Sequence, residues 1–297
     1  MKKGILYGIG AYLLWGLFPL YWKWLESVSA IQIIAHRIIW SFVLLAIIVL
    51  VTRQWKAFRS AASSPKIMLI YLASAIFLSI NWLTYVWAVN AGFVIETSLG
   101  YFINPLLSVL LGVLFLREKL RPWQWIPIGL AAVGVIYVAI SYGQFPWIAL
   151  TLSCSFATYG LIKKMAPLGS LYGLTLETGL LFIPAVIFLI IMEARGQGAF
   201  LHSGVTRDLL MAGAGVVTTI PLLMFASAAQ RIPLSMVGVL QYITPTMQFL
   251  LGVLLYREPF NQSQFIGFSI VWLALLIFWG EGFLASRRSR PVVELAD

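Results

Sequence analysis

The stretch "ETSLGYFINPLLSVLLGVLFLRE", Glu96 to Glu118, decides how this chain is organised, because much of it returns near the other end as "QYITPTMQFLLGVLLYRE", Gln241 to Glu258. Ile103 falls on Ile243 and Pro105 on Pro245, a shift of 140 residues. The same shift superposes the run Leu110 to Leu114, then Arg117 and Glu118, on identical residues. Both copies are apolar and about the length that crosses a bilayer core.

The rest of the chain is of the same kind. Of its 297 residues 61% are hydrophobic and 10% charged, and the mean hydropathy is +0.94. Soluble domains carry about 25% charged residues, so this chain cannot cover itself with a polar surface and its solvent is lipid. Ten apolar segments are long enough to span, at 4–24, 31–52, 66–89, 93–116, 122–142, 145–163, 171–193, 207–229, 233–256 and 262–284. In lipid each must be a helix, since every backbone polar group needs an internal partner. The weakest is 145–163, with Ser153, Cys154, Ser155 and Thr158. The start, "MKKGILYGIGAYLLWGLFPLYW", has two lysines before an apolar run, but the run is too long for a signal-peptide core, and it reads as an uncleaved first helix.

The formal net charge of +10 sits in short loops, which points to topology rather than nucleic-acid binding. With the N-terminus in the cytoplasm, fifteen basic residues lie inside: Lys2, Lys3, Arg53, Lys56, Arg59, Lys66, Arg117, Lys119, Arg121, Lys163, Lys164, Arg231, Arg287, Arg288 and Arg290. Lys23, Arg195, Arg207 and Arg257 lie outside, and Arg37 lies within a span. Both termini are therefore expected in the cytoplasm. The chain has one cysteine, Cys154, and two histidines, His36 and His202. This excludes an internal disulfide and argues against a metal site; Cys154 reads as a small packing residue. No phosphate-binding glycine loop is present, and no cofactor is expected.

The shift maps spans one to five onto six to ten. Five is odd, so the second half enters the membrane upside down relative to the first. This is an inverted-topology repeat, an arrangement many secondary transporters use. The expected divisions are 1–142 and 143–284, two five-helix repeats, followed by a tail at 285–297.

The stretches "AYLLWGLFPLYWK", "AHRIIWSF", "NWLTYVWAVN", "ETSLGYFINPLLSVLLG" and "ATYGLIKK" resemble the RarD-type permeases, some of them called chloramphenicol-sensitive proteins. These form a branch of the EamA group in the drug/metabolite transporter superfamily. The resemblance covers nearly the whole chain and is most specific in "GYFINPL" and "HRIIWSF". It implies the ten-helix fold of that superfamily, a bacterial inner-membrane location and export of small molecules, without fixing the substrate. The loop at 194–206 is particular to this chain.

Charged groups within the bilayer cost at least ~2.5–3.5 kcal/mol and are functional candidates by default. Arg37, with His36 beside it, lies about six residues into span two, and Glu96 near the start of span four. An ion pair between Arg37 and Glu96 is open, as a structural clasp, a substrate contact or a gate. Glu177 sits at the repeat position of Arg37, with Lys163 or Lys164 as its expected partner; a fixed pair and a proton-coupling carboxylate are both open. Tyr101 and Asn104 on span four and Gln241 and Tyr242 on span nine read as cavity lining, whereas Ser108, Gly112 and Gly252 read as packing positions. Trp15, Asn81, Trp82 and Tyr85 supply aromatic walls with a few polar groups, which suit organic solutes with apolar parts. Trp15-Gly16 has a counterpart in Tyr159-Gly160, and Tyr159 reads as a further cavity residue. Trp22, Trp24, Trp123 and Trp125, at span ends, read as interfacial anchors.

The expected function is secondary transport of a small organic metabolite or drug-like solute by alternating access around a central cavity. Partners are the solute and the lipid bilayer; a coupling proton and a homodimer through spans five and ten remain open, and nucleic acid is not expected. The rival reading is an intramembrane enzyme acting on a lipid-linked substrate. Its near candidates are His36 and Glu96, which no second carboxylate or metal cluster supports.

Overall fold

The computed structural model describes residues 1–91, 93–255 and 262–288. Arg257, Glu258 and Arg290, which entered the repeat match and the charge assignment, lie outside the described residues. Among the described residues, every element is helical. In chain order they are α1 (Lys2–Gly16), α2 (Phe18–Lys23), α3 (Ala30–Val51), α4 (Trp55–Ala62), α5 (Pro65–Asn90), α6 (Val94–Leu116), α7 (Trp125–Tyr142), α8 (Trp147–Met165), α9 (Ser170–Ala194), α10 (Val205–Arg231), α11 (Leu234–Gln241), α12 (Ile243–Leu250) and α13 (Gln262–Arg288). Eight membrane-length apolar stretches are found among the described residues, with α1–α2 forming one and α11–α12 with the π turn at Leu251–Leu255 another. The hydroxyls and lysines of α8 keep it out of that set. α13 runs from Gln262 to Arg288.

Two of the expected spans are broken, and proline accounts for both breaks. Pro19 stands in the first turn of α2; lacking an N–H, it cannot bond the Trp15 carbonyl four residues back. That carbonyl instead accepts the Gln248 side-chain amide at 3.5 Å. Pro245 does the same to Gln241, at the junction of α11 and α12. The two broken spans lie together: α1 packs on α11 and α12, and Thr244 donates to the Tyr12 carbonyl at 2.9 Å. Pro105 sits inside α6 without breaking it.

The packing scheme repeats across the halves. α1 packs on α10, and α8 on α5; α3 packs on α10, and α9 on α5; α1 packs on α11 and α12, and α8 on α6. The pairs α3–α9, α6–α11 and α7–α13 join each helix to its own counterpart. Close crossings use small residues, because without a hydrophobic driving force between helices dispersion contacts must hold them. A Cβ on Gly238 would come within 2.7 Å of the Pro105 carbonyl and 2.9 Å of Ser108 Cβ, at the α6–α11 crossing. Ser108 and Gly112 thus lie at packed positions, the latter under the Glu118 carboxylate. Cys154 is exposed rather than packed, because α8 turns it away from both α5 and α6.

The repeated Arg117-Glu118 ends α6. Arg117 adopts a left-handed conformation, φ +53°, and turns Glu118 onto the start of α11. There the carboxylate accepts from the backbone N–H of Leu234 at 2.5 Å, the N–H of Ser235 at 2.9 Å and the Ser235 hydroxyl at 2.7 Å. It satisfies donors that a helix start leaves orphaned and lies at the positive end of the helix dipole. Glu118→Ala should cost about 1–2 kcal/mol, the range for losing a helix cap, read as a lowered unfolding midpoint of the purified protein. An unchanged midpoint would show that the cap is replaceable.

Candidate functional site

At the end of the bundle where α3 and α6 begin, helices from both halves surround a cavity of about 270 Å³. α1 and α2 supply Tyr12, Trp15, Phe18, Pro19 and Trp22; α3 supplies Arg37; α5 supplies Asn81, Trp82 and Tyr85. α6 lines it with Thr97, Gly100, Tyr101 and Asn104, and α8 with Leu152 and Phe156. Leu222 on α10 with Gln241, Thr244 and Gln248 on the broken α11–α12 span complete it.

Arg37 is the cavity's charged lining residue. Its Nε donates to Thr218 Oγ1 on α10 at 2.9 Å. Its guanidinium lies 4.2 Å from the ring centroid of Trp82, 5.0 Å from that of Trp22 and 5.9 Å from that of Phe18. Rings at such distances attract a cation through their quadrupoles. Trp22 is therefore a wall of the cavity, which corrects its reading as an interfacial anchor; the break before Pro19 lets α2 bring it over Arg37. Trp24, Trp123 and Trp125 are exposed as span-end residues.

Opposite Arg37, Tyr85 and Tyr101 meet edge to face, with centroids 6.0 Å apart. Asn104 is buried, and its Oδ1 has no protein hydrogen-bond partner. Asn81 lines the cavity, yet its amide nitrogen is committed to α8, donating to the Leu152 carbonyl at 2.8 Å and Ser155 Oγ at 3.1 Å.

Of the residues singled out from sequence, the fold brings Trp15, Arg37, Asn81, Trp82, Tyr85, Tyr101, Asn104 and Gln241 onto one cavity. His36 faces the other way: it is buried with its ring 5.0 Å from that of Phe200. There the loop that follows α9 docks on α3, as Gln32 exchanges hydrogen bonds with the Gln197 carbonyl and the Ala199 N–H. Glu96 and Arg37 have separate partners; a Glu96 oxygen accepts from the Ile148 N–H at 3.1 Å, capping α8. Tyr242 is buried beside Phe102, whose carbonyl accepts from its hydroxyl at 3.3 Å.

Tyr159 and Glu177 belong to the opposite end of the bundle. Tyr159 stacks on Phe225, with centroids 5.8 Å apart, within a cluster that includes Tyr12, Leu222 and Leu240. Beyond it, Lys163 Nζ lies 2.7 Å from Glu177 Oε1, with both side chains almost wholly buried. The Tyr159 hydroxyl donates to Glu177 Oε2 at 3.4 Å. The neighbouring Lys164 donates instead to the Ile232 carbonyl at 2.6 Å. This end is filled with packed rings and an ion pair, whereas the other end holds the cavity.

Sequence reasoning passed over Phe18, Phe156, Leu222 and Thr218. The aromatic spacing on span one and Pro19 were the available signal for Phe18; Thr218 had none, being one hydroxyl on an apolar helix. Among the described residues, no group of three or more His, Cys, Asp or Glu could hold a metal ion.

The EamA-like transporter family matches the chain twice, over residues 2–140 and 146–280. The chain belongs to this family. It is 46% identical over 295 residues to a protein named RarD from Streptomyces exfoliatus, covering 99% of this chain and 94% of that one. It is 50% identical over 281 residues to the uncharacterized transporter YojE of Bacillus subtilis, covering 93% of each, and 38% identical over 288 residues to the Escherichia coli protein RarD, covering 97% of each. A solved structure at 17% identity superposes with a TM-score of 0.71 over 98% of this chain and 100% of that one, which bears on the fold alone. The chain is thus a RarD-type EamA permease, a multi-pass membrane protein in a family of transporters.

Proposed function

We propose that the protein is a secondary transporter that exports a small organic solute across the bacterial inner membrane. It has ten spans in two inverted five-helix repeats, 1–142 and 143–284, with both termini in the cytoplasm. The observation that carries the reading is the central cavity, walled by aromatic and polar groups from both halves and lying over a packed opposite end. A pocket of apolar walls with a few convergent polar groups is what a small-molecule site requires.

With the termini inside, the cavity lies toward the outer face and the Lys163–Glu177 layer closes the inner one. The structure then corresponds to an outward-facing or loaded state. Exchanging the roles of the halves generates the opposite state, in which the packing around Tyr159 and Phe225 opens and that around Arg37 and Trp22 closes. α7 and α13, packed on each other at the edge of the bundle, take little part in the cavity and are available for a dimer contact.

The test is untargeted profiling of the medium of cells expressing the protein, against Arg37→Ala at matched membrane levels. Accumulation of one solute class outside, lost in the variant, is the expected result. An unchanged medium with altered membrane lipids would overturn the transporter reading in favour of a lipid-modifying enzyme.

A further inference from the structure

We propose that the solute is an organic monoanion: one carboxylate, held by Arg37, on a planar apolar body. The inference rests on the transporter reading for the use of the site, but its chemistry comes from the cavity itself.

Charge balance is the first argument. Arg37 is half-buried against the cavity, and the described lining includes no aspartate or glutamate. Its partners among the described residues are Thr218 and the rings of Trp82, Trp22 and Phe18, with Tyr85 and Tyr101 also near it, and none of them is an aspartate or glutamate. Thr218 takes the Nε hydrogen and the rings hold the guanidinium in place, so the two Nη groups are the donors available to a ligand. Two parallel N–H donors match a carboxylate in a bidentate pair.

The same balance separates the alternatives. A phosphate dianion would bring one negative charge more than the site can neutralise, and unpaired buried charge is costly. A zwitterion would need a carboxylate for its ammonium, which the lining lacks. A cation would meet Arg37 as a like charge. A neutral solute would leave the guanidinium desolvated without a counter-charge.

The second argument is independent of charge. Trp15, Trp82, Tyr85 and Phe156 supply flat apolar walls, suited to a planar ring.

The test uses the full chain in lipid nanodiscs and four probes with the same indole ring: indole-3-propionate, indole-3-propionamide, tryptamine and tryptophan. Titration calorimetry should show the propionate binding at least tenfold tighter than the other three. Arg37→Gln should remove that preference, weakening the propionate at least tenfold while leaving the amide within twofold, which also reports that the variant is folded. If Arg37→Gln does not fold, the ranking of the four probes on the unaltered protein decides. Equal or tighter binding of the amide, tryptamine or tryptophan, survival of the preference in Arg37→Gln, or no binding of the propionate overturns the proposal. Counterflow of the bound probe in proteoliposomes separates the two readings. Binding with the predicted charge preference but no flux defeats the transporter reading alone. Flux without charge preference defeats the monoanion alone.

Discussion

Glu177→Gln is expected to destabilise the protein by about 3–5 kcal/mol, and Lys163→Met by a similar amount. Each leaves one group of a buried ion pair, 1% and 0% exposed, without its partner, and an uncompensated buried charge carries that penalty. The double variant Lys163→Met with Glu177→Leu removes both charges and should recover most of the loss, since apolar replacement of a whole buried pair is often neutral or better. The measurement is the unfolding midpoint of the purified protein in detergent for the three variants. Transport by the double variant then distinguishes the two roles left open for Glu177. If the pair is a fixed clasp, flux survives. If the carboxylate carries a coupling proton, the double variant folds but no longer moves solute against a gradient. Single variants as stable as the parent would mean that the pair is not the clasp its burial describes.

Gly215→Leu is expected to abolish folding of most of the protein. A Cβ at this position would lie 2.5 Å from both the backbone carbon and Cβ of Trp40, and 2.8 Å from the Ser41 nitrogen. The clash is with backbone as well as side chain, so it cannot be relieved by a rotamer change. It falls where α10 crosses α3, at the crossing that also holds the Arg37–Thr218 hydrogen bond and the bond from the Ser41 hydroxyl to the Gly215 carbonyl at 3.2 Å. Overpacking of a core typically costs ~1–3 kcal/mol and more where backbone must move. The check is the fraction of monodisperse protein after solubilisation, beside Gly129→Leu. A Cβ on Gly129 meets nothing within 4 Å, so that variant should behave as the parent. Equal yields from both would show that α3 and α10 can separate without loss.

Much of the architecture can be read from residues that recur. The match of Ile103, Pro105 and Arg117 with positions 140 further on announces two related halves. Proline was a weaker guide: Pro19 and Pro245 stand at the two breaks, but Pro105, Pro184 and Pro221 lie inside unbroken helices. Lys163 and Glu177 could be suggested as partners, since short connections bring the end of one span beside the start of the next.

Direction was harder to read. A membrane helix is apolar toward lipid and apolar toward its neighbours, so its hydrophobic pattern does not say which way a residue points. Trp22 looked like an anchor and lines the cavity. His36 adjoins Arg37 in sequence, yet one step around a helix turns it to Phe200 and the loop beyond α9. Cys154 looked like packing and is exposed. Glu96 lies near Arg37 in depth, but caps α8.

The sequence by itself determined that the chain lives in lipid, that its backbone is helical and that its halves are related, because each follows from composition, backbone hydrogen bonding or identity at a fixed spacing. Only the tertiary structure decided which side chains share a cavity, that Arg37 is held by Thr218 and aromatic rings, and that Glu177 pairs with Lys163 rather than Lys164. Those relations depend on the rotation and crossing of each helix, and these are set by close contacts such as Gly215 on Trp40 and Gly238 on Pro105, between residues far apart in the chain.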